Sequence, residues 1–288
     1  MKRSITAALA FSAAVFFSSA VAATRQVNYA QLLVNDLLRQ SSDLVTAAVH
    51  ATAPGEVESK IIASNGHDIG HASGPAATGL KAEGSTVRPA PEQNRCDVLL
   101  PLLDENEHPV GALQLGFKLA AGARPAAFAE KATALRNRLQ LVIPKSAVLF
   151  DPYTLGWSAT DPLGQRLTMQ ALARHPEINV IAMHVTPPGG NKNIVTAINR
   201  PNFLGRDSDE IDTDTERTGR IVMQVIPKTH RMEVHLPMRA ADGRIVGTIC
   251  TVFLWFDESQ TTDFYARSLA LRDELRPEIP NRAALFQP

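Results

Sequence analysis

Val98-Leu-Leu-Pro-Leu-Leu-Asp-Glu-Asn-Glu-His-Pro-Val-Gly-Ala-Leu113 and Val234-His-Leu-Pro-Met-Arg-Ala-Ala-Asp-Gly-Arg-Ile-Val-Gly-Thr-Ile249 read as one strand–turn–strand unit written twice. In each, an apolar run containing proline meets a polar turn, Asp104–Glu107 or Ala241-Asp242-Gly243, and a second apolar run follows. That is the signature of a β-hairpin. The match extends outward. Asp97–Leu139 laid on Glu233–Leu275 without gaps gives eleven identities in 43 positions, among them Gly111/Gly247, Phe117/Phe253, Phe128/Phe264 and Leu135/Leu271. Average composition gives roughly two or three by chance. Upstream, Tyr29–Gly55 matches Leu163–Gly189, with Gln31/Gln165, Leu33/Leu167, His50/His184, Thr52/Thr186, Pro54/Pro188 and Gly55/Gly189 identical. The two blocks differ in offset by two residues, 134 against 136, which a loop absorbs. Two copies of this length predict two domains, not a solenoid.

The second copy shows its elements clearly. Asp161-Pro162 caps a helix whose apolar residues Leu163, Leu167 and Ala171 recur every four positions. Ile178–Thr186 and Asn193–Ile198 read as strands around the turn Pro187–Gly190. A polar stretch, Asn199 to Gly219, reads as a loop, with Arg220–Ile226 a weak third strand. Met232–Met238 and Arg244–Leu254 form the hairpin, and Asp257 caps a last helix carrying Phe264, Leu271 and Leu275. The first copy repeats this order, except that His67 to Asn94 is rich in Gly, Ala and Pro and obscures a third strand. The boundaries that follow are module 1 at 24–143, a linker at 144–160, module 2 at 161–276 and a tail at 277–288. The fold class is α+β: two repeated modules, each an antiparallel sheet flanked by an N-terminal and a C-terminal helix.

The hairpin blocks, together with Ile194-Val-Thr-Ala-Ile-Asn199 as a strand leading to a loop, resemble the PAS-like extracytoplasmic sensor domains of the Cache (PDC) type. GAF-type and profilin-like sheets share the same order of elements. The resemblance covers both copies. It implies a sheet-based pocket for a small ligand. Cache receptors typically sit between two membrane helices and signal to a cytoplasmic domain, features this sequence does not show.

The N-terminus reads as a secretory signal. Lys2 and Arg3 precede an apolar core from Ile5 to Phe17, and small residues follow to Ala23. The core is too short for a typical span of about 20 residues, so residues 1–23 are expected to be cleaved and the mature chain exported, to the periplasm in a Gram-negative source. Ile245–Phe256 is the most apolar later stretch and reads as a buried strand. Loss of Lys2 and Arg3 leaves a net charge of −2, which gives no electrostatic case for nucleic acid or anionic lipid. Cys96 and Cys250 are the only cysteines and do not correspond in the repeat; two buried free thiols are expected.

His50 and His184 hold equivalent places, in Val-His-Ala-Thr-Ala-Pro-Gly and Met-His-Val-Thr-Pro-Pro-Gly. Each is either a ligand-facing imidazole or a ring that fixes a turn. His67 and His71 stand four apart, but Gly66, Gly70 and Gly74 argue against the helix that would align them on a metal. The acidic run Asp207 to Glu216 lacks the glycine and closing glutamate of a calcium loop; capping aspartates fit it better. Asn199–Arg206 follows a strand, where a sheet pocket opens. Within it Arg200 offers a bidentate partner for a carboxylate, Asn202 an orienting amide and Phe203 an apolar wall. The candidate ligand-binding set is therefore Arg200, Asn202, Phe203, His184 and Asp207. No G-x-S-x-G, P-loop or G-x-G-x-x-G occurs, and no cofactor or metal is expected.

The favoured function is an exported sensor or binding protein for a small polar ligand, acting through a periplasmic or membrane protein partner. Two alternatives stand beside it. One is a docking protein without a small ligand. The other is an exported enzyme, whose polar groups would converge around His184, His235 and the acidic run.

Overall fold

The shared hairpin sits at the centre of each repeat and dictates what packs around it. The structure, a computed structural model, describes residues 25–80, 84–119 and 124–288; the segment read as a signal peptide lies outside these. Strand β1 (Arg25–Asn28) leads into α1 (Tyr29–Gln40), β2 (Leu44–Thr52), β3 (Ser59–Ser64), the one-turn α2 (Pro75–Thr78), β4 (Thr86–Ala90), β5 (Arg95–Leu103), β6 (Pro109–Lys118) and α3 (Pro125–Gln140). After β7 (Pro152–Leu155) come α4 (Leu163–Arg174), β8 (Val180–Val185), β9 (Ile194–Ile198), α5 (Glu210–Thr218), β10 (Val222–Ile226), β11 (Arg231–Arg239), β12 (Ile245–Leu254) and α6 (Ser259–Leu275). The sheets run β3-β2-β6-β5-β4 and β9-β8-β12-β11-β10, the same five-stranded antiparallel order twice. The chain is thus α+β with two repeated modules, each a five-stranded antiparallel sheet with helices. The strand obscured in the first copy is β4, and α5 occupies part of the stretch read as a loop.

Alternation along each strand sorts residues onto two faces. In the second module Ile181, Met183, Val234, Leu236, Ile249 and Phe253 point into a core closed by α4 and α6. Their neighbours Ala182, His184, Glu233, His235 and Cys250 point the other way, and α5 lies over that face. In the first module α1 and α3 cover the equivalent core face.

Several identities between the copies now have physical causes. Phe117 stacks on Phe128 at 5.8 Å between centroids, and Phe253 stacks on Phe264 at 4.4 Å, so each sheet is joined to its closing helix by one aromatic pair. Gln31 Oε1 accepts from the Ser64 backbone N–H and Gln165 Oε1 from that of Ile198, both at 3.0 Å, which pins the first helix of each module to the end of its edge strand. The pairing slips at Val49/His50 and at Met183/His184, the same β-bulge in both copies. Gly111 and Gly247 lie against it: a Cβ on Gly111 would stand 2.1 Å from the His50 carbonyl oxygen, and one on Gly247 2.5 Å from that of His184. Only glycine admits so close a strand.

The junction is more ordered than a linker. Pro152–Leu155, within 144–160, pairs antiparallel with Arg25–Asn28 as a separate two-stranded ribbon, and Leu149 and Tyr153 are buried. Tyr153 stacks on Tyr29 at 5.7 Å. One apolar cluster takes in the first module's core, these two residues, and Val180, Ala182, Val195, Ile198, Cys250 and Val252 of the second sheet. The Arg138 guanidinium lies 4.0 Å from the centre of the Phe256 ring, adding a contact between modules. The stretch read as a tail also packs: Ile279 and Leu285 are buried in the second core, and Gln287 accepts from the Leu163 backbone N–H.

Candidate functional site

The face of the second sheet turned away from α4 and α6 carries the densest buried polar cluster in the described residues. Its position follows from pairing. His235 on β11 stands directly opposite Cys250 on β12, and Glu233 lies two residues along the same strand, hence on the same face. Alternation along β8 puts His184 on that face with Ala182, in register with Thr248 and Cys250 of β12. Helix α5 supplies the acid. Asp209 caps it, its side chain accepting from the Asp212 backbone N–H, and Gly219 ends it in the left-handed conformation at φ 71°. The residues α5 buries are Asp212 and Thr215, a polar stripe. Thr248 fastens the helix down by donating to the Asp212 carbonyl at 2.7 Å.

Asp212 is 2 % exposed and holds two imidazoles. Its Oδ1 lies 2.8 Å from His235 Nδ1, and its Oδ2 3.0 Å from His184 Nδ1. Burial alone would push this carboxyl up, but the hydrogen bonds from His184 and His235 win and hold it well below the usual carboxylate range. An ionised carboxylate only accepts, so both Nδ1 atoms carry protons. For His235, burial works against the cation, yet the Asp212 carboxylate, with Cys250 and Glu233 beyond, raises its pKa. The far nitrogen, Nε2, faces Cys250 Sγ at 3.9 Å and Glu233 Oε2 at 3.8 Å. Burial pushes the Cys250 thiol up.

A relay leaves the other side. His184 Nδ1 also contacts Ser208 Oγ at 2.8 Å. Ser208 donates to Asn193 Oδ1, and Asn193 donates through Nδ2 to Glu216. Arg282, in the C-terminal segment, ion-pairs with Glu216 at 2.6 Å. The one Nδ1–H of His184 is thus shared between Asp212 Oδ2 and Ser208 Oγ, and at the far end Glu216 accepts from both Asn193 and Arg282.

The first module shows what the cluster is not. His50, on the same bulge, contacts Ser73 Oγ at 3.1 Å and Gln114 Oε1 at 3.3 Å. Burial lowers its pKa, with the Gln114 bond opposing. Where the second module has Glu233, His235 and Cys250, the first has Asp97, Leu99 and Gln114, and Asp97 is paired with Arg95 at 2.6 Å. The serine-bound histidine is common to both modules; the acid, second imidazole and thiol are private to one.

The residues singled out from sequence fall into separate places. His184 belongs to the cluster. Arg200 lies at the junction, 3.3 Å from the Asp151 carboxylate and over the rings of Tyr153 (5.3 Å) and Phe203 (4.6 Å). Phe203 is partly buried against the apolar cluster of the junction. Asn202 is exposed beside it. Asp207 is exposed and paired with Lys192 at 2.8 Å. The Cys96 and Cys250 thiols are free and buried. Among the described residues, one group of metal-ligand type stands out: Glu233, His235 and Cys250, whose donor atoms all lie within 4.8 Å of one another. A cleft of about 580 Å³ lies elsewhere, between α1, α3 and the second module, with Asp36, Arg39, Arg138, Glu177 and Gln260 in its wall.

No family model and no curated protein matches the chain. Solved structures show remote likenesses. A GAF domain from an Acinetobacter phosphoenolpyruvate-protein phosphotransferase is 11 % identical over 50 % of this chain and 91 % of that one, with a TM-score of 0.29. The photosensory core module of Stigmatella aurantiaca phytochrome is 10 % identical over 80 % and 56 %, with a TM-score of 0.26. PelD from Pseudomonas aeruginosa is 16 % identical over 88 % and 78 %, with a TM-score of 0.27. Likenesses this distant assign no function to the chain.

Proposed function

We propose that this protein is an exported, periplasmic sensor or binding protein of the Cache type, whose second module recognises a small polar ligand while the first serves as its scaffold. The observation that carries the reading is the contrast between equivalent sheet faces. One holds a buried Asp212 between His184 and His235 beneath a capped helix; the other holds Leu99 and Gln114. Buried, strongly interacting ionisable groups cost stability and mark functional sites. Export is supported by the charge, apolar core and small residues at the N-terminus, and no helix among the described residues is long and apolar enough to cross a membrane.

In this reading Arg200, Asn202 and Phe203 meet the ligand at the junction, while His184 stands apart in the buried Asp212 cluster and Asp207 on the surface with Lys192. Arg200 already holds one carboxylate, that of Asp151, so a ligand carboxylate would replace it. The test is a thermal-shift screen against amino acids, carboxylates and amines. A ligand at a hundred times its Kd stabilises by about 2.7 kcal/mol. A shift that disappears in the Arg200→Ala, Asn202→Ala double variant is the expected result. One observation favours the docking alternative: the polar face is filled by its own side chains, His235 and Cys250 being 3 % and 6 % exposed. No shift across the whole panel decides for it.

A further inference from the structure

We propose that Glu233, His235 and Cys250 form a binding site for a borderline transition-metal ion of the zinc class, held by one carboxylate oxygen, one imidazole nitrogen and one thiolate. The proposal rests on the reading that the second module is the sensing one, and names the ligand class of its face. Five observations support it. The donors are already gathered: His235 Nε2 is 3.9 Å from Cys250 Sγ and 3.8 Å from Glu233 Oε2. An ion about 2.0 Å from nitrogen and about 2.3 Å from sulfur, bound tetrahedrally, separates them by about 3.5 Å. Closing the His235–Cys250 pair therefore needs a few tenths of an ångström, and Glu233, whose oxygen lies within 4.8 Å of the other donors, swings in to complete the set.

The imidazole is oriented for it. Asp212 accepts from the His235 Nδ1–H at 2.8 Å, which turns Nε2 toward the thiol and the carboxylate. A carboxylate behind a ligating histidine is the usual means of fixing its tautomer and ring plane. The scaffold is rigid as well, since His235 and Cys250 are cross-strand partners in a central hairpin. The donor set also selects its ion. Sulfur and imidazole favour zinc-class ions over calcium or magnesium, which take oxygen.

Finally, the duplicated module acts as a control: with Leu99 and Gln114 at two of the three positions, it lacks the set. Binding releases two protons to solvent, from the Cys250 thiol and from Nε2 of the His235 cation, and leaves the Nδ1 proton of His235 hydrogen-bonded to Asp212. Three protein ligands leave a fourth position for water or for a polar group of an organic ligand.

The full-length chain, stripped by chelator and dialysed, is titrated with Co²⁺. One equivalent should produce a thiolate-to-cobalt charge-transfer band in the near ultraviolet and ligand-field bands in the visible, both erased by Zn²⁺. Cys250→Ser should lose the charge-transfer band and keep weaker visible bands. His235→Gln should lose both, Asp212→Asn should bind 10- to 100-fold more weakly, and Cys96→Ser should match the parent. Should His235→Gln misfold by circular dichroism, Glu233→Gln, at a partly exposed position, should bind at least tenfold more weakly.

Absence of both bands in the folded parent, a charge-transfer band that persists in Cys250→Ser, or undiminished cobalt affinity in Glu233→Gln overturns the site. So does fast alkylation of Cys250 that Zn²⁺ fails to slow, which would make Cys250–His235–Asp212 a thiol nucleophile with its base and orienting acid. Thermal shifts with organic ligands are measured in chelator. If these persist while the cobalt bands are missing, the metal site falls and the sensor reading stands. Cobalt bands without a thermal shift from any organic ligand uphold the metal site and remove the organic-ligand reading.

Discussion

At His50 the ring is enclosed by two neutral partners, Ser73 and Gln114, and burial holds its pKa down. The consequence for pH has a definite sign. As pH falls through about 6.5 the unfolded chain takes up a proton on this histidine, while the folded ring stays neutral, so stability present above that pH is lost below it. Replacing His50 by Gln should flatten the acid limb of a urea-midpoint series below about pH 6.5, by up to about 1.4 kcal/mol per pH unit. An unchanged limb would mean that His50 protonates as readily folded as unfolded. The sequence shows His50 and His184 as equivalents. It does not show that one lies among amides and hydroxyls and the other against a carboxylate, because that carboxylate arrives from a helix 28 residues further on.

That helix is the element least legible in the sequence. Helices are recognised by apolar residues at 3.6-residue spacing, and in α5 the buried residues are Asp212 and Thr215. Two signals of another kind were there: the cap at Asp209 and the terminating Gly219. The strands were easier, since alternation is visible wherever one face is apolar. The bulge at each histidine was written in the repeated glycine after it, Gly111 or Gly247. Both glycines are tested by alanine. The added Cβ meets backbone oxygen in each case, nearer at Gly111 than at Gly247, and overpacking of this kind costs about 1–3 kcal/mol. Chemical denaturation should show both variants destabilised, Gly111→Ala the more severely. Equal stability to the parent would show that the strands can part freely at the bulge.

Over the whole molecule, the duplication was legible and the junction was not. Eleven identities reveal two modules, but strands of four residues such as β1 and β7 carry too little pattern to be seen. Each pairs with the other across more than a hundred residues of chain, so no local pattern announces the ribbon. Tyr153 is the residue that commits the modules to each other, buried against Tyr29 and beneath Arg200. Truncating a buried aromatic costs about 3–5 kcal/mol. Tyr153→Ala should therefore split one calorimetric unfolding transition into two, the modules melting separately. A single transition lowered in temperature would place the coupling elsewhere, at Arg138 on Phe256 for instance.

The register shared by the two hairpins makes their faces interchangeable parts. His235 and Cys250 stand opposite each other in one sheet as Leu99 and Gln114 do in the other, on backbones of the same strand order. The histidine and its serine are present on both. The second face can thus be copied onto the first by two substitutions and an exchange of the segment after the edge strand for the one that carries α5. The molecule contains its own blank, the same chassis without the fittings, against which any property of the second module can be measured inside one chain.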